Sequence, residues 1–266
     1  MHARAIGLAT LLLLGTGCGM ARRRATASVA GTMVSRAVEV DGVRYPYQVY
    51  VPAVRGRARP PVILFLHGSG ERGSDGVKQT TVGIGPAVRR RASDFPAVVV
   101  MPQAPADSVW AGPPAQAAIA ALDSAMSEFG GDPRRVYLTG ISMGGFGTWE
   151  IALANPTRFA ALVPICGGLR PISTQPTIAV RAVANTSGDI YDAAAAKLAR
   201  IPTWIFHGGA DRLVPVEGSR EMANALRRAG GSVQYTEYPG VGHNSWDPAY
   251  ADSTLWPWLF AQRRPR

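Results

Sequence analysis

The chain has 266 residues, of which 47% are hydrophobic and 17% are charged, so it fits one globular domain with a sizeable core and is neither disordered nor fibrous. Its formal net charge is +10, but almost all of the positive side chains are arginines spread along the chain, with lysine only at Lys78 and Lys197. This pattern argues against a dedicated surface for nucleic acid.

The N-terminal 30 residues have the pattern of a targeting segment. An apolar stretch, residues 5–14, is too short to span a bilayer as a helix and is followed by small residues, which predicts an exported protein, periplasmic or extracellular. The run that ends in Cys18 resembles a bacterial lipobox, in which the cysteine carries a lipid, although Gly15 stands where a leucine is usual. Cleavage by an ordinary signal peptidase near Gly19 or within 25–27 is the alternative. A lipid anchor at Cys18 and free secretion therefore both stay open.

Cysteine usage excludes an intrachain disulfide in the mature chain. If Cys18 is lipidated or removed, Cys166 is the single remaining cysteine. We therefore place the fold in residues 31–266 as one domain and expect its stability to come from the core, even in an oxidising compartment.

Two runs with period-two alternation open this domain. They cover residues 32–39 and 44–51, and the dipeptide Asp41-Gly42 between them is typical of a tight hairpin turn. We expect an antiparallel pair of strands here.

Short apolar runs then alternate with segments of helical spacing. The strands are predicted at 62–66, 97–101, 136–138, 160–165, 203–206 and 233–238, and the helices at 85–92, 115–129, 142–154, 193–199, 217–229 and 253–261. This alternation predicts an α/β fold, with a mostly parallel central sheet of about eight strands and helices on both faces. Because such sheets bind ligands at the carboxyl ends of their strands, the residues that follow each strand are the candidates for a site.

The pentapeptide Gly140-Ile141-Ser142-Met143-Gly144 lies between a predicted strand and a predicted helix. In that context a G-x-S-x-G motif predicts a nucleophile elbow, where Ser142 sits at the tip of a sharp turn with its hydroxyl exposed. A side chain at Gly140 or Gly144 would collide with the neighbouring strand or the turn.

A serine nucleophile needs a histidine base, and the base needs an anion behind it. His243 is the candidate base because it lies late in the chain in a glycine-rich loop, whereas His67 precedes a glycine loop whose backbone we expect it to order. Asp211 is the candidate acid because it follows a strand by a short turn. Asp189 is the runner-up, although its place at the start of a helix is also explained as an N-cap.

The negative charge of the tetrahedral intermediate needs amide donors. The amide of Met143, next to the nucleophile, is one candidate. The amide of Ser69 in the loop after the strand at 62–66 is the other, with the amides of Gly68 and Gly70 as its alternatives.

Together these motifs resemble the α/β-hydrolase superfamily. The stretches that carry the resemblance are Leu66 to Gly73, Gly140 to Gly147, His207 to Asp211 and Tyr238 to Trp246. More narrowly, the chain is similar to bacterial exported esterases of the dienelactone-hydrolase-like and prolyl-oligopeptidase-like kind, which are related to polyhydroxybutyrate depolymerases and feruloyl esterases. The resemblance implies a carboxylester hydrolase that needs no cofactor and no metal. Residues 170–192 depart from the minimal pattern and predict a small lid insertion.

Further residues are candidates for the surroundings of the site. Trp110 and Trp246 are candidates for aromatic platforms that hold a substrate, because both follow strands on the expected rim, and packing is the alternative role for each. Glu71 and Arg72 are expected to form ion pairs that brace the oxyanion loop.

Three functions fit the sequence to different degrees. The pattern favours a serine esterase acting on a small-molecule or polymer-derived ester through an acyl-enzyme, and a serine peptidase of the same fold acting on small peptides is the alternative. A peptidase would be favoured by a gating domain, for which the residues before position 34 are too few. A catalytically silent binding protein would be expected to lack a triad residue, and the candidate set is complete.

Overall fold

The computed structural model describes residues 31–53 and 58–265. The predicted leader, with Cys18 and both cleavage positions, lies outside these residues. Among the described residues, no helix is both long enough and apolar enough to cross a bilayer.

A single sheet of eight strands forms the centre of the molecule, in the order β1-β2-β4-β3-β5-β6-β7-β8. The first two strands join it by antiparallel pairing, and all later neighbours pair in parallel. The strands are β1 Thr32–Val40, β2 Val43–Val51, β3 Val62–Leu66, β4 Val98–Pro102, β5 Val136–Ile141, β6 Ala161–Ile165, β7 Thr203–Gly208 and β8 Val233–Tyr238.

Helices cover both faces of the sheet. They are α1 Ile84–Arg90, α2 Pro113–Phe129, α3 Met143–Ala154, α4 Ile190–Leu198, α5 Glu217–Arg228, α6 Trp246–Ala251 and α7 Leu255–Ala261. Helices α2 to α5 contribute to one apolar core, and α1, α6 and α7 contribute to the core on the opposite face. The predicted fold class is therefore confirmed.

Local sequence explains the elements that frame the site. Asp41 and Gly42 both have positive φ, as the tight turn of the β1–β2 hairpin requires. Every residue of β3 is buried, and successive side chains alternate between the two cores, which is why its apolar run is continuous.

The segment 170–192 is built from short elements, and its expected role as a small lid insertion stays a prediction. It contains a β-bridge between Ile172 and Gln175 and a short 3₁₀ helix, Arg181–Val183, and its last residues already belong to α4. The carboxylate of Glu150 in α3 accepts hydrogen bonds from two backbone amides of the 3₁₀ helix, which anchors the segment to the helix that follows the predicted nucleophile.

Candidate active site

The turn between β5 and α3 has the strained geometry of a nucleophile elbow. Ser142 has φ 52° and ψ −119°, a region that side-chain-bearing residues rarely adopt. A Cβ atom at Gly140 would lie 2.1 Å from the carbonyl oxygen of Gly144, and a Cβ atom at Gly144 would lie 2.0 Å from that of Leu66. The expected need for glycine at both positions is confirmed, because only glycine allows the backbone to pass this closely.

Ser142, His243 and Asp211 form one continuous chain of hydrogen bonds. The Ser142 hydroxyl lies 2.8 Å from Nε2 of His243, and Nδ1 of the same ring lies 2.7 Å from Oδ2 of Asp211. Because a carboxylate only accepts, Nδ1 donates to Asp211 and leaves Nε2 free to accept the serine proton. The structure thus brings together the three side chains that were singled out from the sequence.

Asp211 is held as an anion. Burial by itself raises the pKa of this carboxyl, but hydrogen bonds from two histidines and from the amides of Val214 and Leu213 outweigh it and hold the pKa well below its usual value. The second histidine is His207 in β7, whose Nε2 lies 3.2 Å from Oδ2 of Asp211. Sequence reasoning assigned no role to His207. Its position four residues before the candidate acid was the available signal.

Asp189 has a different role from Asp211. Its carboxylate accepts from the amides of Tyr191 and Asp192 and caps the N-terminus of α4. The N-cap explanation is confirmed, and Asp189 is not the acid that faces His243.

His67 is buried behind the loop that follows β3. Its Nε2 accepts from the Ala104 amide at 2.9 Å, and Nδ1 lies 2.6 Å from the Gly68 carbonyl, to which it donates. Burial lowers the pKa of His67 to about 4, which keeps the ring neutral at physiological pH. As expected, His67 orders the backbone of the loop and does not approach the nucleophile as a base.

Two amide donors were predicted for the oxyanion. Met143 is the first residue of α3, and the first amides of a helix have no acceptor within the helix. The loop after β3 lies against the nucleophile, since a Cβ atom at Gly68 would be 3.6 Å from Cβ of Ser142. This proximity is compatible with donation from the adjacent Ser69 amide, which stays a prediction.

The two tryptophans differ in their surroundings. Trp110 is 2% exposed, and its indole N–H donates to the His67 carbonyl at 3.0 Å while the ring meets His67 edge to face. Trp110 therefore fits the packing alternative in this structure, because almost no ring surface faces the solvent. Trp246 is half-buried, and its ring packs edge to face against that of His243 at 5.5 Å.

Arg72 joins the oxyanion loop to its neighbours. Its guanidinium donates to the carbonyls of Ser69 and Ser108 and to the side-chain oxygen of Gln175 in the segment after β6. Among the described residues neither Glu71 nor Arg72 has an ion-pair partner, so the bracing uses neutral acceptors in place of the expected ion pairs.

Two open grooves are lined in part by residues beside the triad, namely Trp246, whose ring contacts His243, and Phe146 in the first turns of α3 after Ser142. One of about 710 Å³ is bounded by Trp246 and Asn244, next to the base. The other, of about 280 Å³, lies between the strand ends of β6 and β7 and is lined by Phe146, Gly168, Leu169, Arg170, Pro171, Ile172, Tyr191, Val214, Pro215, Glu217, Gly218 and Glu221. Segment 170–192 thus contributes directly to the second groove.

The prolyl oligopeptidase family matches residues 108–259, more than half of the chain and a range that includes Ser142, Asp211 and His243. The chain belongs to the prolyl oligopeptidase family. This membership and the structural neighbours agree with the predicted α/β-hydrolase superfamily.

Proteins similar to this chain include an esterase. The chain is 33% identical over 111 residues to poly(3-hydroxyalkanoate) depolymerase C of Paucimonas lemoignei, a match over 41% of this chain and 27% of the depolymerase. A thermostable esterase structure is 33% identical with a TM-score of 0.73, over 87% of this chain and 63% of the esterase. The fluorophosphonate-binding serine hydrolase F of Staphylococcus aureus shares the fold at 19% identity and a TM-score of 0.65, over 88% and 100% of the two chains.

Proposed function

We propose that this protein is a serine hydrolase that cleaves carboxylic esters through an acyl-enzyme intermediate. The observation that carries the proposal is the hydrogen-bonded chain from Ser142 through His243 to Asp211, at a strained turn beside the open N-terminus of α3. Ser142 remains accessible to a substrate, since its side chain is only partly buried.

Acylation follows from the direction of the hydrogen bonds. Ser142 Oγ attacks the ester carbonyl carbon while His243 Nε2 takes the hydroxyl proton, and the anion of Asp211 stabilises the resulting imidazolium. The amides of Met143 and Ser69 are the proposed donors to the oxygen that becomes negative. When the carbon–oxygen bond to the alcohol breaks, His243 returns the proton to the departing alkoxide.

Deacylation reverses the roles. A water molecule gives one proton to His243 Nε2 and attacks the acyl carbon, and the second tetrahedral intermediate collapses to release the acid. His243 then returns the proton to Ser142 Oγ.

The relatives support an ester substrate. The thermostable esterase and the depolymerase are each 33% identical to this chain over their matched regions. A small-molecule ester or an ester from a polymer chain is therefore the proposed substrate class, with Trp246 and the segment 170–192 as the candidate determinants of which ester fits.

The proposal is tested with a panel of p-nitrophenyl acyl esters, aryl feruloyl esters and proline peptides on the wild type and Ser142→Ala. We expect ester hydrolysis by the wild type, none above background by Ser142→Ala, and covalent labelling of wild type alone by a fluorophosphonate. Asp211→Asn should lose about 10⁴-fold in kcat. Equal rates in the wild type and Ser142→Ala would refute the proposal, and a larger loss in Asp189→Ala than in Asp211→Ala would reverse the choice of acid.

A serine peptidase is the second candidate. The family match to prolyl oligopeptidases supports it, because the same triad cleaves amides. Hydrolysis of a proline peptide with a higher kcat/KM than any ester in the panel would establish the peptidase and reject the esterase.

We also propose that the protein is exported. The support is the leader pattern in residues 1–30, with lipidation at Cys18 or free secretion as the two routes. Expression in a bacterium with Cys18→Ser separates them: retention in the membrane fraction by the wild type and release by the variant indicates a lipoprotein, and soluble export of both indicates free secretion.

A further inference from the structure

His207 occupies the space behind the candidate acid. It belongs to β7, its side chain is fully buried, and it contacts Asp211, Val214 and Ser219. None of these contacts is needed to hold the strand, whose backbone already pairs with β6 and β8.

The contacts fix where the proton of His207 lies. Nε2 faces Oδ2 of Asp211 at 3.2 Å and the carbonyl of Val214 at 3.1 Å, and both of these oxygens only accept. Nε2 therefore carries the proton and shares it between them. Nδ1 lies 2.7 Å from the hydroxyl of Ser219, which donates to it when the ring is neutral, and the Gly167 carbonyl at 3.3 Å is the more distant second acceptor for the same hydroxyl proton.

The carboxylate of Asp211 is consequently saturated with donors. Oδ1 accepts from the amides of Leu213 and Val214, at 2.8 and 3.0 Å. Oδ2 accepts from His207 and from His243, so the two histidines share one oxygen atom. Any change in donation by His207 alters the negative charge that His243 meets.

We infer that His207 is a positioning residue for the triad, which sets the charge and orientation of Asp211 toward His243, and that Ser219 fixes the tautomer of His207. The expected effect of His207 on kcat/KM rests on the proposed function, because it is measured as ester hydrolysis. It extends the chain of contacts to five side chains, in the order Ser219, His207, Asp211, His243 and Ser142.

Other titratable groups lie around these five side chains. Glu237 of β8 is the neighbour of His207 in the sheet, and its carboxylate forms an ion pair with Arg220 of α5. From the end of β6, the thiol of Cys166 lies near Asp211, and burial raises the pKa of this thiol, so it stays neutral. His243 itself faces Ser142, Asp211 and the ring of Trp246.

The test uses two amides that imitate different nitrogens of the ring. In His207→Gln the side-chain amide can replace Nε2–H and still donate to Asp211, whereas in His207→Asn it reaches only the position of Nδ1. Without the donor, more negative charge faces His243 and its protonated form is favoured. We therefore expect the acid limb of the kcat/KM profile of His207→Asn to move up by about one pH unit and the plateau to fall about tenfold.

In His207→Gln the acid limb of the kcat/KM profile should lie at the same pH as in the wild type, and kcat/KM should fall by no more than about threefold. Thr203→Val is the matched control, since its buried hydroxyl lies on the same strand but donates to the Ile201 carbonyl. It should lower the melting temperature and leave the limb unchanged. Equal limbs in the wild type and both His207 variants, or an equal shift in Thr203→Val, would overturn the inference. If the His207 variants do not fold, Ser219→Ala decides the inference: a shift of the acid limb supports it, and an unchanged acid limb overturns it.

Histidine ¹⁵N NMR of the wild type separates failure of this inference from failure of the proposed function. The spectrum should contain a histidine protonated at Nε2 whose signal changes in Ser219→Ala, whether or not any ester is hydrolysed. Protonation of His207 at Nδ1 alone would overturn the inference. An active wild type with that tautomer would leave the esterase proposal intact.

Discussion

Arg72 and Gln175 are 103 residues apart in the chain, and the guanidinium of Arg72 donates to the side-chain oxygen of Gln175 at 3.3 Å. The same guanidinium donates to the carbonyl of Ser69 in the loop that we propose supplies an oxyanion donor. One side chain therefore connects the segment that lines a groove to the loop beside the nucleophile.

This connection predicts different effects for its two ends. Arg72→Ala removes the support of Ser69, so kcat should fall about tenfold, less than the 10²–10³ typical of losing a donor outright. Gln175→Ala breaks only the link to the segment and should change KM about threefold with kcat preserved. Steady-state kinetics on one p-nitrophenyl ester would check both. An Arg72→Ala enzyme with wild-type stability and rate would show that the arginine does not brace the loop.

The close approach at the elbow predicts a steric effect. In Gly144→Ala the new Cβ atom would lie 2.0 Å from the Leu66 carbonyl oxygen, so the backbone would have to move. The free energy of unfolding should therefore fall by more than about 3 kcal/mol. Gly242→Ala is the control, because a Cβ atom there meets nothing within 4 Å. Its free energy of unfolding should stay within about 0.5 kcal/mol of the wild type in urea titrations. Similar losses in both variants would contradict the steric explanation.

The sequence predicted the framework because period and turn chemistry are local properties. A few neighbouring residues are enough to predict the Asp41-Gly42 turn, the buried strand β3 and the position of Ser142 between a strand and a helix. His243 was found by elimination, since the chain has only four histidines.

What the sequence did not predict depends on packing between distant segments. The sequence places Trp110 on the rim, but its side chain packs against Gly147. A Cβ atom at residue 147 would lie only 2.4 Å from Cβ of Trp110, so the glycine makes room for the tryptophan. His207 was passed over because a strand pattern does not show which end residue points toward the acid. Helix α6 was missed because a short stretch with Asp247 and Pro248 is more typical of a turn.

The buried His67 predicts a pH dependence of stability. Burial lowers its pKa from 6.5 to about 4 in the folded protein. Between these two pH values the unfolded chain therefore binds a proton that the folded chain does not bind. Stability should therefore fall as the pH is lowered through this window, by about 3 kcal/mol at its lower end. Asp211 acts in a different range: its lowered pKa makes its contribution present above the ordinary value of 3.8 and lost only at lower pH.

The measurement is the free energy of unfolding in urea across that window for the wild type and His67→Gln. The variant lacks the buried imidazole, so the difference between the two proteins should shrink toward low pH. A difference that does not change with pH would show that His67 is not responsible.

The two tryptophans are predicted to affect different quantities. Trp110→Phe leaves the buried carbonyl of His67 without its donor, so the free energy of unfolding should fall by about 1–3 kcal/mol, and kcat should fall with the disturbed loop while KM changes little. Trp246→Ala removes a half-buried ring beside His243 and should raise KM for aryl esters more than for acetyl esters, with a smaller effect on stability. Urea titration and kinetics on both ester classes check this. If Trp110→Phe instead raised KM selectively for aryl esters at unchanged stability, Trp110 would be the substrate platform after all, through a conformation in which its ring becomes exposed.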